Sequence, residues 1–311
     1  MKKIYLFASF LFAFVCLGLT SCGNDDDLSG RSVFDGDVSP VKNEFDTWLE
    51  NNYRIPYNID FQYRYNDRLT DMVYNVVPAS YENSVALGIL FKHIWLDSYD
   101  EVLGQIFLKE NCPRQIQLIG SREYDSRGEM ILGTAEGGLK IMLYGVNEFD
   151  IDNPRINVDD PYEDANMSPA DLNHWMFHTV HHEFCHILTQ KKEYSPDFKT
   201  ITAGKYHSQD WVNLKDKDVQ KQGFVSAYGS SEYNEDFAEI FSTYVTMSPT
   251  AWKAIMDNAG EEGGPLLQKK LDLMRTYFQE KWGLDMDKLR EVVLRRSSEV
   301  STLDLRDLSK N

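Results

Sequence analysis

The segment from His178 to Gln190 reads HTVHHEFCHILTQ and concentrates metal-binding residue types, in a chain with only 7 His and 4 Cys. On a helix, residues four apart lie one turn above each other on the same face, so His182 and His186 would point to one position in space. Glu183 lies one step round the helix, where its carboxylate can reach a water at that position. Two imidazoles can bind zinc and a carboxylate can take a proton, so this HExxH spacing predicts a zinc-dependent hydrolase.

Neighbouring histidines offer a competing pair. His178 and His182 are also four residues apart, but Thr179 stands where the carboxylate would be, so this pair would bind a metal without a base. We expect His178 to pack beside the site or to orient a ligand. His181 and Cys185 lie on a face rotated by about 100° from the site, and we expect both to be structural.

A catalytic zinc needs a third protein ligand and keeps a fourth position for water. The longer pattern HExxHxxGxxH is absent, because Thr189 stands at its glycine and Lys192 at its third histidine. A second predicted helix, EYNEDFAEIFSTYV, carries Glu235 and Glu239 four residues apart. This spacing fits a third zinc ligand and a second carboxylate beside it, although an ordinary acidic helix face has the same spacing.

The stretch SAYGSSEYNEDFAEIF, together with HEFCH upstream, resembles the active-site segments of gluzincin peptidases, and those of anthrax lethal factor and its relatives in particular. Tyr228 precedes Glu235 by seven residues, and Phe237, Ala238 and Glu239 follow. The resemblance implies that Glu235 is the third zinc ligand, that Tyr228 stabilises the oxyanion or donates a proton, and that Glu239 orients a ligand.

The first residues of the chain, MKKIYLFASFLFAFVCLGLTSC, predict a signal peptide over residues 1–21. LTSC resembles the bacterial lipobox, which implies that Cys22 is acylated, and the acidic residues that follow resemble a surface-export signal. We expect a lipidated flexible tether over residues 22–40. The protein would then be an outer-membrane lipoprotein that faces the cell surface, with the periplasmic face as the alternative.

The combination of lipobox, HHEFCHIL and EDFAE resembles the zinc metallohydrolase lipoproteins that are encoded near TonB-dependent import systems. The resemblance implies one Zn²⁺ per chain, a peptide or protein substrate, and a TonB-dependent import complex as a partner. Two alternatives remain open: a non-catalytic surface lipoprotein that binds a peptide or glycan, and a zinc amidase or esterase that acts on non-peptide substrates. The intact Glu183 counts against the first alternative, because a binding protein has no need for a base.

The composition excludes some classes of partner. The net charge is −17, and removal of the signal peptide, which holds Lys2 and Lys3 but no acid, makes it more negative. Nucleic acid and anionic lipid headgroups are therefore poor partners, and we expect no nucleic acid to bind. After loss of the signal peptide and acylation of Cys22, only Cys112 and Cys185 remain as thiols. One bridge between them is possible, but we expect Cys185 to be buried inside a helix.

The elements that must position these residues fall into two halves of one metallohydrolase domain over residues 41–311. Residues 41–165 combine helical patterns with short β-type runs, RQIQLIGS, EMILGTA and GLKIMLYGV. Residues 166–311 are mostly helical, and the HExxH helix is predicted to begin with a capping box of Ser168 and Asp171. We therefore predict an α+β, zincin-like fold with a small mixed β-sheet in the N-terminal half. GTAEGGLKIMLYG is the candidate sheet edge for an extended peptide.

Overall fold

The computed structural model of the protein describes residues 41–66, 76–124, 130–131, 133–136, 139–164 and 168–311. The predicted signal peptide, the tether and Cys22 lie outside the described residues. Asn43–Asn311 form one compact unit, and a division into lobes between residues 165 and 166 stays a prediction. Among the described helices, none has the length and apolar character that crossing a membrane requires.

The β part consists of a four-stranded sheet and a separate two-stranded pair. The strands are β1 (Asp60–Gln62), β2 (Gln115–Leu118), β3 (Glu123–Tyr124), β4 (Met130–Ile131), β5 (Gly133–Glu136) and β6 (Lys140–Leu143). The sheet has the order β1, β2, β6, β5, in which the first three are parallel and β5 runs antiparallel to β6. The strands β3 and β4 pair with each other, antiparallel. The predicted small mixed sheet in the N-terminal half is therefore confirmed.

Helices account for most of the remaining structure. Those of the N-terminal half are α1 (Glu44–Leu49), α2 (Ile55–Tyr57), α3 (Tyr81–Leu90), α4 (Asp97–Leu103) and α5 (Gln105–Asn111). Those of the C-terminal half are α6 (Thr179–Lys191), α7 (Asp197–Ile201), α8 (Asp216–Gln220), α9 (Tyr233–Thr246), α10 (Pro249–Trp282) and α11 (Met286–Ser298). The wider π-helical segments are Glu50–Arg54, Phe91–Leu96 and Asn173–His178. Single 3₁₀ segments lie at Val146–Glu148, Ser208–Asn213, Tyr228–Ser230, Val300–Thr302 and Leu308–Lys310. The predicted α+β class, with a mostly helical C-terminal half, is confirmed.

The start of the HExxH helix differs from the predicted capping box. The Asp171 carboxylate itself accepts a hydrogen bond from the backbone N–H of His174, at 3.2 Å, and so caps the helix. The preceding backbone is tied elsewhere, because the N–H of Ala170 donates to the carbonyl oxygen of Glu148 at 2.9 Å. Ser168 therefore lies outside the helix, and the cap is three residues later than the sequence indicates.

The helices α6 and α9 form the centre of the C-terminal half and pack against each other. Buried apolar side chains of α6, such as Phe184 and Leu188, belong to the same core as Phe237 and Phe241 of α9. The ring of Phe241 stacks on that of Phe278 from α10, with centroids 4.5 Å apart. On another side, α6 lies beside β5. The HExxH helix is thus held between the antiparallel sheet strand and the helical half.

Candidate metal centre

The histidines of the HExxH motif lie one turn apart on α6, as the spacing predicts. The Nε2 atoms of His182 and His186 are 3.0 Å apart. Helix α9 brings in Glu235 from its first turn, and Glu235 Oε2 lies 3.0 Å from His182 Nε2 and 3.3 Å from His186 Nε2. The three candidate ligand residues are therefore brought together, although Glu235 is distant from the histidines in sequence.

The chemistry of these donor atoms fits a bound cation. His182 Nδ1 lies 2.8 Å from Glu239 Oε1, and a proton on Nδ1 leaves Nε2 as a bare lone pair. That lone pair then faces the nitrogen of His186 and the carboxylate of Glu235, so either a proton or a metal ion must lie between them. Tetrahedral zinc at its usual bond lengths holds its ligand atoms about 3.3 Å apart. The observed spacings are close to this value.

Glu183 lies beside the donor atoms and is largely buried, with 8% of its surface exposed. Burial raises the pKa of its carboxyl group, and the neighbouring His182 and His186 oppose that shift. A carboxylate with a raised pKa is a stronger base than an exposed glutamate. Glu183 therefore combines the position and the proton affinity of a general base.

A second layer of contacts surrounds Glu239, which is buried next to the donor atoms. Its Oε1 atom lies 2.9 Å from His178 Nε2 as well as close to His182. Burial opposes ionisation of Glu239, yet both histidines together lower the pKa of its carboxyl group well below the usual value. His178 and Glu239 thus lie beside the candidate ligand His182, and their role towards a metal stays a prediction.

His178, His182 and Glu239 form a second set of atoms close enough to bind a metal. This set would use Nδ1 of His182, whereas the set with His186 and Glu235 uses Nε2. All three residues of the set with Glu235 line one cavity. A catalytic metal needs an accessible position for water and substrate, so we favour that set.

Tyr228 lies in a 3₁₀ turn directly before α9 and is 39% exposed. Its ring centroid is 5.8 Å from that of His182 and 5.0 Å from that of Trp211. Burial of the hydroxyl and the negative charge of Glu235 raise the pKa of Tyr228. The hydroxyl therefore stays protonated and can donate a hydrogen bond.

A cavity of about 740 Å³ opens in front of the donor atoms, and we call it the metal cavity. It is lined by His182, Glu183, His186, Thr189, Gln190, Glu193, Tyr194, Lys199, Tyr228, Glu232, Tyr233, Asn234 and Glu235. The volume suits several residues of a peptide or a ligand of similar size. Every predicted catalytic residue and metal ligand lies on its wall.

The remaining predicted residues take structural positions. His181 is buried, its Nδ1 lies 3.0 Å from the Tyr99 hydroxyl, and burial lowers its pKa to about 3. Cys112 and Cys185 are buried free thiols, so the bridge that the sequence left open is not formed.

Some residues at the site were not found by sequence reasoning, among them Ser226, Trp211 and Lys199. Ser226 donates a hydrogen bond to Glu239 Oε2 at 2.6 Å, and Lys199 lines the metal cavity. Trp211 and Lys199 belong to no motif, and Ser226 begins the SAYGSSEYNEDFAEIF segment without a role that its position there would indicate.

Comparisons with known proteins agree with this geometry. Residues 39–287 match the family described as "Putative zinc-binding metallo-peptidase". The chain is also similar to the crystal structure of a putative zinc-binding metallo-peptidase from Bacteroides caccae. The identity is 38%, the TM-score is 0.70, and the alignment covers 85% of this chain and 95% of that chain. No curated protein matches the chain. The chain therefore belongs to the family of putative zinc-binding metallo-peptidases, in agreement with the resemblance of its motifs.

Proposed function

We propose that the protein is a zinc-dependent peptidase of the gluzincin type, with one Zn²⁺ per chain. His182 Nε2, His186 Nε2 and Glu235 Oε2 would bind the ion. The observation that carries the proposal is the convergence of these three atoms, 3.0 to 3.3 Å apart, on the wall of the metal cavity. Membership in the family supports a zinc-dependent metallohydrolase.

The chain's own residues supply proton transfer and charge stabilisation. Zinc bound there supplies Lewis acidity, which lowers the pKa of water towards about 7 and polarises a carbonyl group. Glu183 takes the proton of the attacking water and passes it to the leaving amine. The Tyr228 hydroxyl donates a hydrogen bond to the substrate oxygen as that oxygen gains negative charge.

Glu239 and His178 would keep the first ligand in the correct state. The carboxylate of Glu239, 2.8 Å from His182 Nδ1, would favour a proton on that nitrogen and so leave Nε2 free to bind the metal. His178, at 2.9 Å from the same carboxylate oxygen, fixes its orientation.

The sheet supports a peptide as the substrate. β5 stands at the end of the strand order, pairs with β6 on one side and lies beside α6. An extended peptide can add to such an edge through backbone hydrogen bonds while its carbonyl group faces the metal. The strand falls within the GTAEGGLKIMLYG segment that the sequence indicated.

The test compares metal content and hydrolysis in purified protein. We expect about one zinc per chain in the parent by elemental analysis, and cleavage of members of a peptide library. Glu183→Gln should retain zinc and lose cleavage by about 100-fold or more, because proton transfer contributes about 10²–10⁴-fold to the rate. Glu235→Ala should lose zinc, because it removes one of three ligands.

The matched control is Glu280→Gln, which makes the same chemical change on the exposed face of α10. It should behave as the parent in both assays. Full activity of Glu183→Gln would disprove its role as the base. Absence of zinc from the parent would favour the alternative of a peptide- or glycan-binding lipoprotein, and cleavage of esters without peptides would favour the esterase alternative.

We further propose that acylation of Cys22 anchors the protein to the outer membrane, facing the cell surface, where it would act with a TonB-dependent import complex. The LTSC motif after the apolar run supports the anchor. Incorporation of radiolabelled palmitate should occur in the parent and disappear in Cys22→Ser. Equal labelling of the two would rule out this anchor.

A further inference from the structure

A cationic side chain lies on the wall of the metal cavity. Lys199, on α7, places its ammonium nitrogen 3.9 Å from the ring centroid of Tyr233 and 5.7 Å from that of Tyr194. Both rings also line the cavity. The aromatic faces attract the charge and hold the ammonium group at this wall.

The rings that hold Lys199 are themselves fixed. Tyr194 stacks on buried Phe237 with centroids 4.1 Å apart, and its hydroxyl donates to Asn234 Oδ1 at 2.9 Å. Tyr233 and Asn234 open α9 directly before Glu235. The cation is therefore attached to the same helix turn that supplies the third candidate metal ligand.

Lys199 is the only lysine or arginine among the described residues that line the metal cavity. No carboxylate of the described chain lies within ion-pairing distance of its nitrogen, although Glu193 and Glu232 line the same cavity. A contact with a ring face leaves the N–H donors of an ammonium group without a conventional hydrogen-bond acceptor. The hydrogen-bond donors of Lys199 thus remain available to a ligand in the cavity.

We propose that Lys199 binds a carboxylate of the substrate, so that the protein prefers peptides with a single acidic group close to the scissile bond. This rests on the proposed peptidase function. Lys199 and the three donor residues line the same cavity, so a substrate that fills the cavity can reach both.

Four glutamates of the described chain line the cavity, and the two that the proposed metal site does not use limit this preference. Glu193 and Glu232 each carry a negative charge that repels further carboxylates, so a run of acidic residues binds less well than one. The carboxylate can belong to an aspartate or glutamate side chain or to the free C-terminus of a peptide. The two sources share the chemistry that Lys199 recognises.

The experiment measures cleavage of peptide sets by the zinc-loaded protein. Each set carries Glu, Gln or Lys at successive positions around one scissile bond, with either a free or an amidated C-terminus. We expect kcat/KM to be roughly 2- to 5-fold higher for Glu than for Gln at one position, the size of one partly exposed ion pair. If the carboxylate is that of the peptide's C-terminus, amidation of the C-terminus lowers kcat/KM by the same factor instead.

Lys199→Glu should reverse the preference, so that Lys at that position is cleaved faster than Glu, and Lys199→Met should abolish it. Lys192→Glu is the matched control, because Lys192 also lies over a ring, 3.9 Å from Trp282, but does not line the metal cavity. It should keep the preference of the parent.

The outcomes separate this proposal from the proposed function. Absence of cleavage of every peptide by a zinc-loaded parent would contradict the peptidase function itself. Cleavage without a preference for a carboxylate, or a preference that Lys199→Glu and Lys199→Met leave unchanged, would overturn the role of Lys199 alone. Zinc content and thermal unfolding of the variants should equal those of the parent, since Lys199 is exposed.

Discussion

The Glu239 carboxylate connects two parts of the candidate site that are separate in the sequence. Its Oε1 atom faces His182 and its Oε2 atom accepts a hydrogen bond from Ser226 at 2.6 Å. The Ser226 hydroxyl oxygen in turn accepts the N–H of Gly229 at 3.0 Å, inside the turn that carries Tyr228. Ser226 therefore joins Glu239, which we propose orients a metal ligand, to the turn of Tyr228, which we propose stabilises charge.

Removal of this hydroxyl should weaken metal binding while leaving the three ligands in place. We expect Ser226→Ala to lower the affinity for zinc, and the rate of hydrolysis, by roughly 10-fold, because partners of ligand-orienting groups typically contribute 10- to 100-fold. Competition with a chromogenic chelator measures the affinity without a substrate. Ser230→Ala is the control, since the Ser230 hydroxyl lies in the same turn but donates to the carbonyl oxygen of Ala227. Equal zinc affinity of Ser226→Ala and the parent would contradict the role of Ser226.

The residues of the site differ in how far the sequence could predict them. His182, Glu183 and His186 follow from a local rule, because helical geometry fixes the direction of side chains four apart. Glu235 and Tyr228 were predicted through resemblance, and the structure brings both to the same cavity. Ser226 lies two residues before Tyr228 in the same segment, but the resemblance assigned no role to it. Lys199 reaches the site because of the path that the chain takes between α6 and α9. Such a path depends on tertiary packing, so neither spacing nor residue type indicated Lys199.

At the scale of elements, a buried ion pair fixes the first turn of α9. Lys270 of α10 donates to Asp236 Oδ2 at 2.5 Å, and both side chains are fully buried. The same ammonium group donates to the carbonyl oxygen of Gly223, and Tyr206 donates to the same carboxylate oxygen. Asp236 follows Glu235 directly, so the pair sets the rotation of α9 that points Glu235 at the histidines. Buried pairs of this kind specify an arrangement more than they add stability.

The periodicity of the sequence predicted which elements exist more reliably than where they end. The apolar spacing of α6 and α9 and the short runs of β2 and β6 are local patterns, and all four elements are present. The helix cap was predicted at Ser168 but lies at Asp171, because the backbone before Asp171 bonds to the other half of the chain. The strand order was not predictable, since the pairing of β1 with β2 joins segments more than 50 residues apart.

At the scale of the whole molecule, the candidate metal site joins two helices that are already packed. Buried apolar residues of α6 and α9 belong to one large core that spans the described residues. Zinc would add a link between these helices without supplying the core. The metal-free protein should therefore stay folded, in contrast to small domains that fold only around zinc.

Zinc should nevertheless raise the thermal stability of the whole protein, because the folded state binds it and the unfolded chain has no ordered site for it. At a free zinc concentration of 100 times Kd, the free energy of unfolding rises by about 2.7 kcal/mol, which corresponds to an increase in Tm of about 5–10 °C. Thermal unfolding followed by circular dichroism, with chelator and with buffered zinc, measures the shift. Glu235→Ala should show little or no shift.

The sign of the pH dependence follows from His182. Burial disfavours its charged form, but Glu235 and Glu239 raise the pKa of the metal-free imidazole well above the usual value. Zinc must therefore displace a proton even near neutral pH, so the gain in Tm at fixed total zinc should be larger at pH 8 than at pH 6. A gain in Tm that is independent of pH would mean that zinc does not compete with the His182 proton and therefore binds elsewhere. A gain that persists in Glu235→Ala would mean the same, because that variant lacks one of the three ligands.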